Sequence, residues 1–271
     1  MPAWLVAAAL AAWAFPALAD KAVLVGGTGS GSRLLQALAD EYHRAGGKAE
    51  IVVIDPPLGS GAGIKGVRAG RLDLAISARR LEGEERNGEL VEVEFARTPF
   101  VIATLDGKRS EGFNLKDLAD VYAGRLNRWD NGNPIRLILR PGFDADNMLL
   151  RTMSPGLDRA VSLALERRGM VTASSDMEAV ELIAQTPGSL GTTTLGLIRL
   201  MNADVRALPI AGREPSAEAL ARDAYPWFKP LYLVTLRRPG RDLQSFLDYL
   251  LSPQAAEFLV RTGHVPASHE K

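Results

Sequence analysis

Apolar and polar positions switch between strand and helix rhythms in a fixed order over the first eighty residues. Lys21–Val25 is a short apolar run suited to a buried strand, and the glycine-rich GGTGSGS of Gly26–Ser32 follows it. Leu34, Leu35, Leu38 and Tyr42 then share one helical face, and Gly46-Gly47 ends that element. Glu50–Ile54 predicts a second strand. Pro56-Pro57 opens a loop, Gly59-Ser60-Gly61-Ala62-Gly63 leads into a helix around Ile64–Ala69, and Leu72–Ser77 predicts a third strand. This β–α–β–α–β order predicts a parallel sheet whose loops gather at the strands' C-terminal ends, where ligands bind in such folds.

The rhythm changes from Thr98. Thr98–Leu105 is a strongly apolar strand, Asn114–Tyr122 is helical, and Ile135–Leu139 is a strand running into Arg140-Pro141-Gly142. Helices are predicted near Asn147–Thr152, Asp158–Arg167 and Asp176–Gln185, and Pro187–Thr194 turns into a strand. Pro230–Leu236 is again a strand, and helices around Leu243–Leu250 and Pro253–Thr262 complete the chain. A second α/β unit inserted between Val101–Leu105 and Leu231–Thr235 predicts two lobes joined by two hinge strands, with a cleft between them. The expected division assigns 20–98 and 231–271 to the first lobe and 99–230 to the second.

Composition narrows the picture. Residues 1–19, MPAWLVAAALAAWAFPALA, are apolar and end in Ala17-Leu18-Ala19, the small-x-small pattern of a cleaved signal peptide. They predict export to a periplasm, with cleavage after Ala19. The chain has no cysteine, so disulfides, thiolate metal sites and a lipoprotein anchor are excluded. Lys plus Arg and Asp plus Glu both number 32, so no global field attracts nucleic acid, and any anion site must be local.

The local chemistry is at two glycine–serine turns. A helix N-terminus carries unpaired N–H groups and about half a positive charge, so it holds anions without a basic side chain. Glycine permits close backbone approach, and serine adds a hydroxyl donor. Gly29-Ser30 and Ser60-Gly61 each open a helix after a strand. Ordinary capping also places serine and glycine there, but two such turns on neighbouring strands favour an anion site.

Four segments carry a family resemblance: 26–42 (GGTGSGSRLLQALADEY), 59–81 (GSGAGIKGVRAGRLDLAISARRL), 115–135 (LKDLADVYAGRLNRWDNGNPI) and 183–198 (IAQTPGSLGTTTLGLI). They resemble the PstS-like phosphate-binding proteins of ABC importers, a branch of the type 2 periplasmic binding proteins; the Y-x-G-x-L-x-x-W pattern of the third is the most specific. The resemblance implies a monomeric α/β protein of two lobes, each a mixed sheet flanked by helices, with no enzymatic activity and no cofactor. Its implied partners are a small anion such as phosphate and a membrane ABC permease. The implied ligand-binding positions are Thr28, Gly29, Ser30, Ser60, Gly61, Ser77, Arg79 and Arg140.

Two departures qualify the ligand. The family follows its arginine with a Gly-Ser-Gly-Thr type loop, whereas Arg140 is followed by Pro141-Gly142-Phe143-Asp144-Ala145-Asp146-Asn147. The family's first-lobe aspartate is also lost, since the matching stretch is Ser77-Ala78-Arg79. A carboxylate about 4 Å from an anion costs about 4 kcal/mol at an effective dielectric of about 20. That exceeds the about 1.5–3 kcal/mol contributed by one charge-assisted hydrogen bond. Asp144 or Asp146 could accept the proton of a protonated ligand, neutralise Arg79 or Arg140, or select a ligand other than phosphate. They could equally cap the following helix and face solvent. The altered loop also leaves open a binding protein that serves a sensor or regulatory partner instead of transport.

Other motifs carry little. Gly61-Ala62-Gly63-Ile64-Lys65-Gly66 matches G-x-G-x-x-G, but Asp73 comes too early for a ribose contact. The three histidines are scattered, which argues against a metal trio or a Ser-His-Asp relay, and no nucleophile–base pair stands out. Trp129 is expected to pack the second lobe, and Tyr225–Pro230 to pack the hinge.

Overall fold

A computed structural model describes residues 22–267. The expected signal peptide, residues 1–19, lies outside the described residues. Among those described, no helix is long and apolar enough to cross a membrane.

The first half follows the predicted alternation. β1 (Val23–Gly27) leads into α1 (Gly29–Arg44), β2 (Ile51–Val53) into α2 (Ser60–Arg68), and β3 (Leu74–Ser77) follows. β1 pairs in parallel with both β2 and β3. Leu34, Leu35, Leu38 and Tyr42 are buried on the sheet-facing side of α1, as their spacing predicts. Asp73 is structural: its Oδ2 accepts the N–H of Leu24 at 2.8 Å.

β4 runs from Leu90 to Thr104, beginning well before the apolar stretch expected from Thr98. Then come α3 (Leu115–Tyr122), β5 (Arg136–Leu139), α4 (Ala145–Met153), α5 (Pro155–Glu166), β6 (Val171–Thr172), α6 (Asp176–Gln185), β7 (Ser189–Thr194), α7 (Leu195–Leu200) and β8 (Arg206–Leu208). The chain ends through α8 (Ala217–Ala221), β9 (Phe228–Leu236), α9 (Arg241–Leu250), α10 (Pro253–Arg261) and β10 (Val265–Pro266). The strands lie in the order β2-β1-β3-β9-β4-β7-β5-β6, with β8 and β10 also on β4.

The molecule has two lobes. One main core gathers Val25, Leu34, Leu38, Leu74, Ile76, Leu231, Phe246 and Leu259. The other gathers Phe100, Phe113, Leu118, Tyr122, Trp129, Leu150, Leu190 and Tyr225. β4 serves both, giving Phe95 and Ala96 to the first core and Phe100 and Ile102 to the second, and β9 lies beside it. Their antiparallel ladder runs from Leu90 opposite Leu236 to Pro99 opposite Phe228, beyond which Phe100–Ala103 pair with β7. Trp129 packs as expected, buried against Phe113 with its Nε1–H donated to the Gly188 carbonyl at 3.1 Å. Tyr225 donates its hydroxyl to the Phe100 carbonyl at 2.7 Å and meets Trp227 edge-on, which braces the crossing between lobes.

Candidate functional site

The strand-to-helix turns after β1 and β2 open on one side of the first lobe's sheet. Gly27 lets the first turn form: its φ is +145°, and a Cβ there would lie 2.0 Å from the Ile76 carbonyl oxygen. Thr28 N–H donates to that same oxygen at 3.0 Å, which fixes the start of α1 against β3. The Ser60 hydroxyl accepts Ala78 N–H at 2.9 Å and ties the start of α2 to the end of β3. Thr28, Gly29, Ser60, Gly61, Ala78 and Arg79 thereby line one wall of a cleft of about 750 Å³.

Arg140, Asp144, Ser174, Ser175 and Asp176 line the facing wall, with Lys229 at the crossing. Asp176 reaches across. Its Oδ2 accepts the backbone N–H of Ser30 at 3.0 Å and the Thr28 hydroxyl at 3.1 Å. Thr28 is the N-cap of α1 but makes no side-chain cap to its own helix. A carboxylate of the second lobe thus sits in the anion-favouring end of α1.

Asp176 belongs to a buried ionic network. Lys229 Nζ donates to Asp176 Oδ1 at 2.9 Å and also pairs with Asp146, whose other oxygen accepts the Thr192 hydroxyl at 2.9 Å. Arg140 donates to Asp144 Oδ2 at 2.6 Å and to the Ala173 carbonyl at 2.8 Å, and stands 3.7 Å from Asp176. Burial opposes ionisation of Asp176, but Lys229 and Arg140 outweigh it and hold the carboxyl well below its ordinary range. Burial likewise opposes the Lys229 ammonium, and Asp146 and Asp176 outweigh it, so its pKa rises. For Asp144 the balance is reversed: burial and the neighbouring Asp146 push the carboxyl up. Asp144, Asp146 and Asp176 bring oxygens within 4.8 Å of one another, a spacing suited to a hard cation. The Lys229 ammonium and the Arg140 guanidinium already supply positive charge there.

The expected site residues therefore divide. Thr28, Gly29, Ser60, Gly61, Arg79, Arg140 and Asp144 line the cleft together. Ser30 contributes its amide to Asp176. Ser77 is fully buried and turned to its own loop, donating to the Arg79 carbonyl at 2.6 Å. Arg79 faces Glu85 in a two-pronged pair at 2.7 and 2.9 Å, not Asp144 or Asp146. Asp144 both caps α4, accepting Asp146 N–H at 2.9 Å, and neutralises Arg140. Asp146 does not face solvent: it is wholly buried against Lys229.

Two residues escaped the sequence reading. Asp176 follows Ser174-Ser175, which read only as a helix start, and Lys229 lies within the aromatic Tyr225–Pro230 stretch assigned to hinge packing. A lysine directly after Tyr225-Pro226-Trp227-Phe228, at the start of the return strand, was the available signal.

The family profile described as PBP superfamily domain matches residues 16–254. The phosphate-binding protein PstS of Borreliella burgdorferi is 22% identical over 251 residues, covering 90% of this chain and 89% of that protein. A putative phosphate ABC transporter substrate-binding protein from Clostridium perfringens, solved with bound phosphate, superposes with a TM-score of 0.74 at 19% identity, covering 92% of this chain and 100% of that one. An ABC-type phosphate transport receptor from Vibrio cholerae superposes with a TM-score of 0.64 at 18% identity over 90% of this chain and 99% of that one. The resemblance read from the four sequence segments therefore stands, and the chain belongs to the PBP superfamily of two-lobed binding proteins.

Proposed function

We propose that this protein is an exported solute-binding protein that captures a small anion between its lobes and delivers it to a membrane ABC permease. The supporting observation is the convergence of two helix N-termini, at Thr28-Gly29 and Ser60-Gly61, with Arg79 and Arg140 on one interlobe cleft. The relatives that bind phosphate make it the first anion to try. Thr28, Gly29, Ser60, Gly61, Arg79 and Arg140 would contact the ligand, with Ser30 joining them when Asp176 withdraws. Asp144, with its raised pKa, would accept a hydrogen bond from a protonated ligand or donate one itself.

A thermal-shift panel of phosphate, arsenate, sulfate, molybdate, carboxylates and phosphonates at two pH values tests this reading. An anion that binds only the native state raises the melting point as its concentration increases. At least one member is expected to do so, and Ser60→Asp is expected to remove the shift. No shift from any anion would overturn the proposal.

A further inference from the structure

We infer that the ligand is an organic monoanion with an apolar body, not a bare inorganic oxyanion; this rests on the anion-receptor reading above. The first ground is room. The lobes already touch through Asp176, Thr28 and Ser30, and yet a cleft of about 750 Å³ remains beside that contact. This lies within the about 300–1,000 Å³ range of pockets for organic ligands. A tetrahedral oxyanion displaces only a few waters, each of about 30 Å³.

The second ground is charge. Arg79, Arg140 and Lys229 face Glu85, Asp144, Asp146 and Asp176, so the cations are outnumbered before any ligand arrives. A multiply charged anion meets that excess at full strength, whereas a single charge can rest on the remaining donors. Those donors are the opening amides of α2, which have no acceptor within the helix, and the adjoining Arg79 guanidinium. A Cβ at Gly61 would lie 3.7 Å from Arg79 Nη2. Arg140, 4% exposed, also lines the cleft, and its Nε is buried without a hydrogen-bond partner.

The third ground is the lining. Leu58 of the first lobe is 41% exposed, and Phe143 and Met148 of the second are 87% and 52% exposed, all three on the cleft. Phe143 and Met148 stand mostly in water, and exposed apolar side chains lining a cleft mark a binding surface. Phe143 occupies the loop that replaces the glycine–serine donors of the related family. The anionic head belongs at Ser60-Gly61 and Arg79, and the body against Leu58, Phe143 and Met148.

Calorimetric titration of the mature protein with phenylacetate, hexanoate, acetate, inorganic phosphate and hexylammonium tests the inference. Phenylacetate or hexanoate is expected to bind at least about tenfold more tightly than acetate or phosphate. Phe143→Ser with Met148→Ser, both at exposed positions, is expected to erase that preference. Phosphate binding as tightly as either organic acid, or a preference unchanged in the double variant, overturns the inference while leaving the receptor function intact. Binding of hexylammonium alone, or of nothing in this panel, overturns the inference, and the receptor reading then stands or falls on the thermal-shift panel.

Discussion

Asp176 stands where a bound anion would stand relative to Ser30: its Oδ2 takes the Ser30 amide at 3.0 Å, although 146 positions separate the two in sequence. The carboxylate is tethered to the opposite lobe, so it acts as a competitor that never diffuses away. An incoming anion either displaces it or settles beside it at α2.

Removing the competitor is expected to improve binding. In Asp176→Ala the Ser30 amide and Thr28 hydroxyl are released, and phosphate affinity is expected to rise at least about tenfold in calorimetric titration. Unchanged affinity would mean that the α1 turn takes no part in capture. The same change removes one partner of a buried ion pair, so stability is expected to fall by about 3 kcal/mol.

Lys229 is the keystone of the ionic network, contacting both Asp146 and Asp176. Lys229→Met leaves two buried carboxylates with Arg140 as their remaining cationic neighbour. Urea unfolding is expected to show a loss of about 3–5 kcal/mol. Adding Asp146→Asn should restore part of it, because one uncompensated charge is then gone. A double variant no better than Lys229→Met would contradict this account.

His264 supplies a pH dependence. It is buried beside Gly196, with Nδ1 3.1 Å from the Thr262 hydroxyl, and burial first, then the Arg199 charge, lower its pKa to about 4 from an ordinary 6.5. The unfolded chain therefore takes up a proton below pH 6.5 that the folded chain refuses until about pH 4. Stability conferred by the neutral ring is fully present above pH 6.5 and declines as pH falls towards 4, by about 3 kcal/mol in total. His264→Gln should flatten this part of the unfolding profile, and a parallel decline in parent and variant would assign the effect to other groups.

Gly27 tolerates no side chain. Its left-handed backbone and the 2.0 Å approach of a Cβ to the Ile76 carbonyl mean that Gly27→Ala must shift β1 from β3. A loss of at least about 3 kcal/mol is expected, at or beyond the upper end of ordinary overpacking. Circular dichroism melting would expose a milder effect.

Most of the fold was legible because its signals are local. The Gly29-Ser30 and Ser60-Gly61 turns each come after an apolar strand, and the faces of α1 and α9 repeat at helical spacing. The first half of β4 was missed although Val91–Phe95 alternates apolar and charged residues, with Glu92 and Glu94 half-buried. That is an ordinary strand signature, overshadowed by the stronger run after Thr98. The cleft's wiring was not legible. Asp176 and Lys229 gain their roles only when elements far apart in sequence meet, and a Ser-Ser-Asp helix start looks the same whether its carboxylate meets water or another helix. The partnership of Arg140 with Asp144 is legible, because four residues place them within reach, whereas that of Arg79 with Glu85 carries no comparable signal.

The shared β4–β9 ladder also governs the order in which the protein can assemble. β3 has β9 as its neighbour, and α9 and α10 cover the same core as α1, so the first half of the chain cannot close its sheet until about residue 236 has arrived. The second lobe's core, drawn from residues 100–225, needs no such wait. Contacts between distant segments slow folding, so the first lobe is expected to mature last. Until β9 is made, β3 has β1 as its strand neighbour and its other edge stays open.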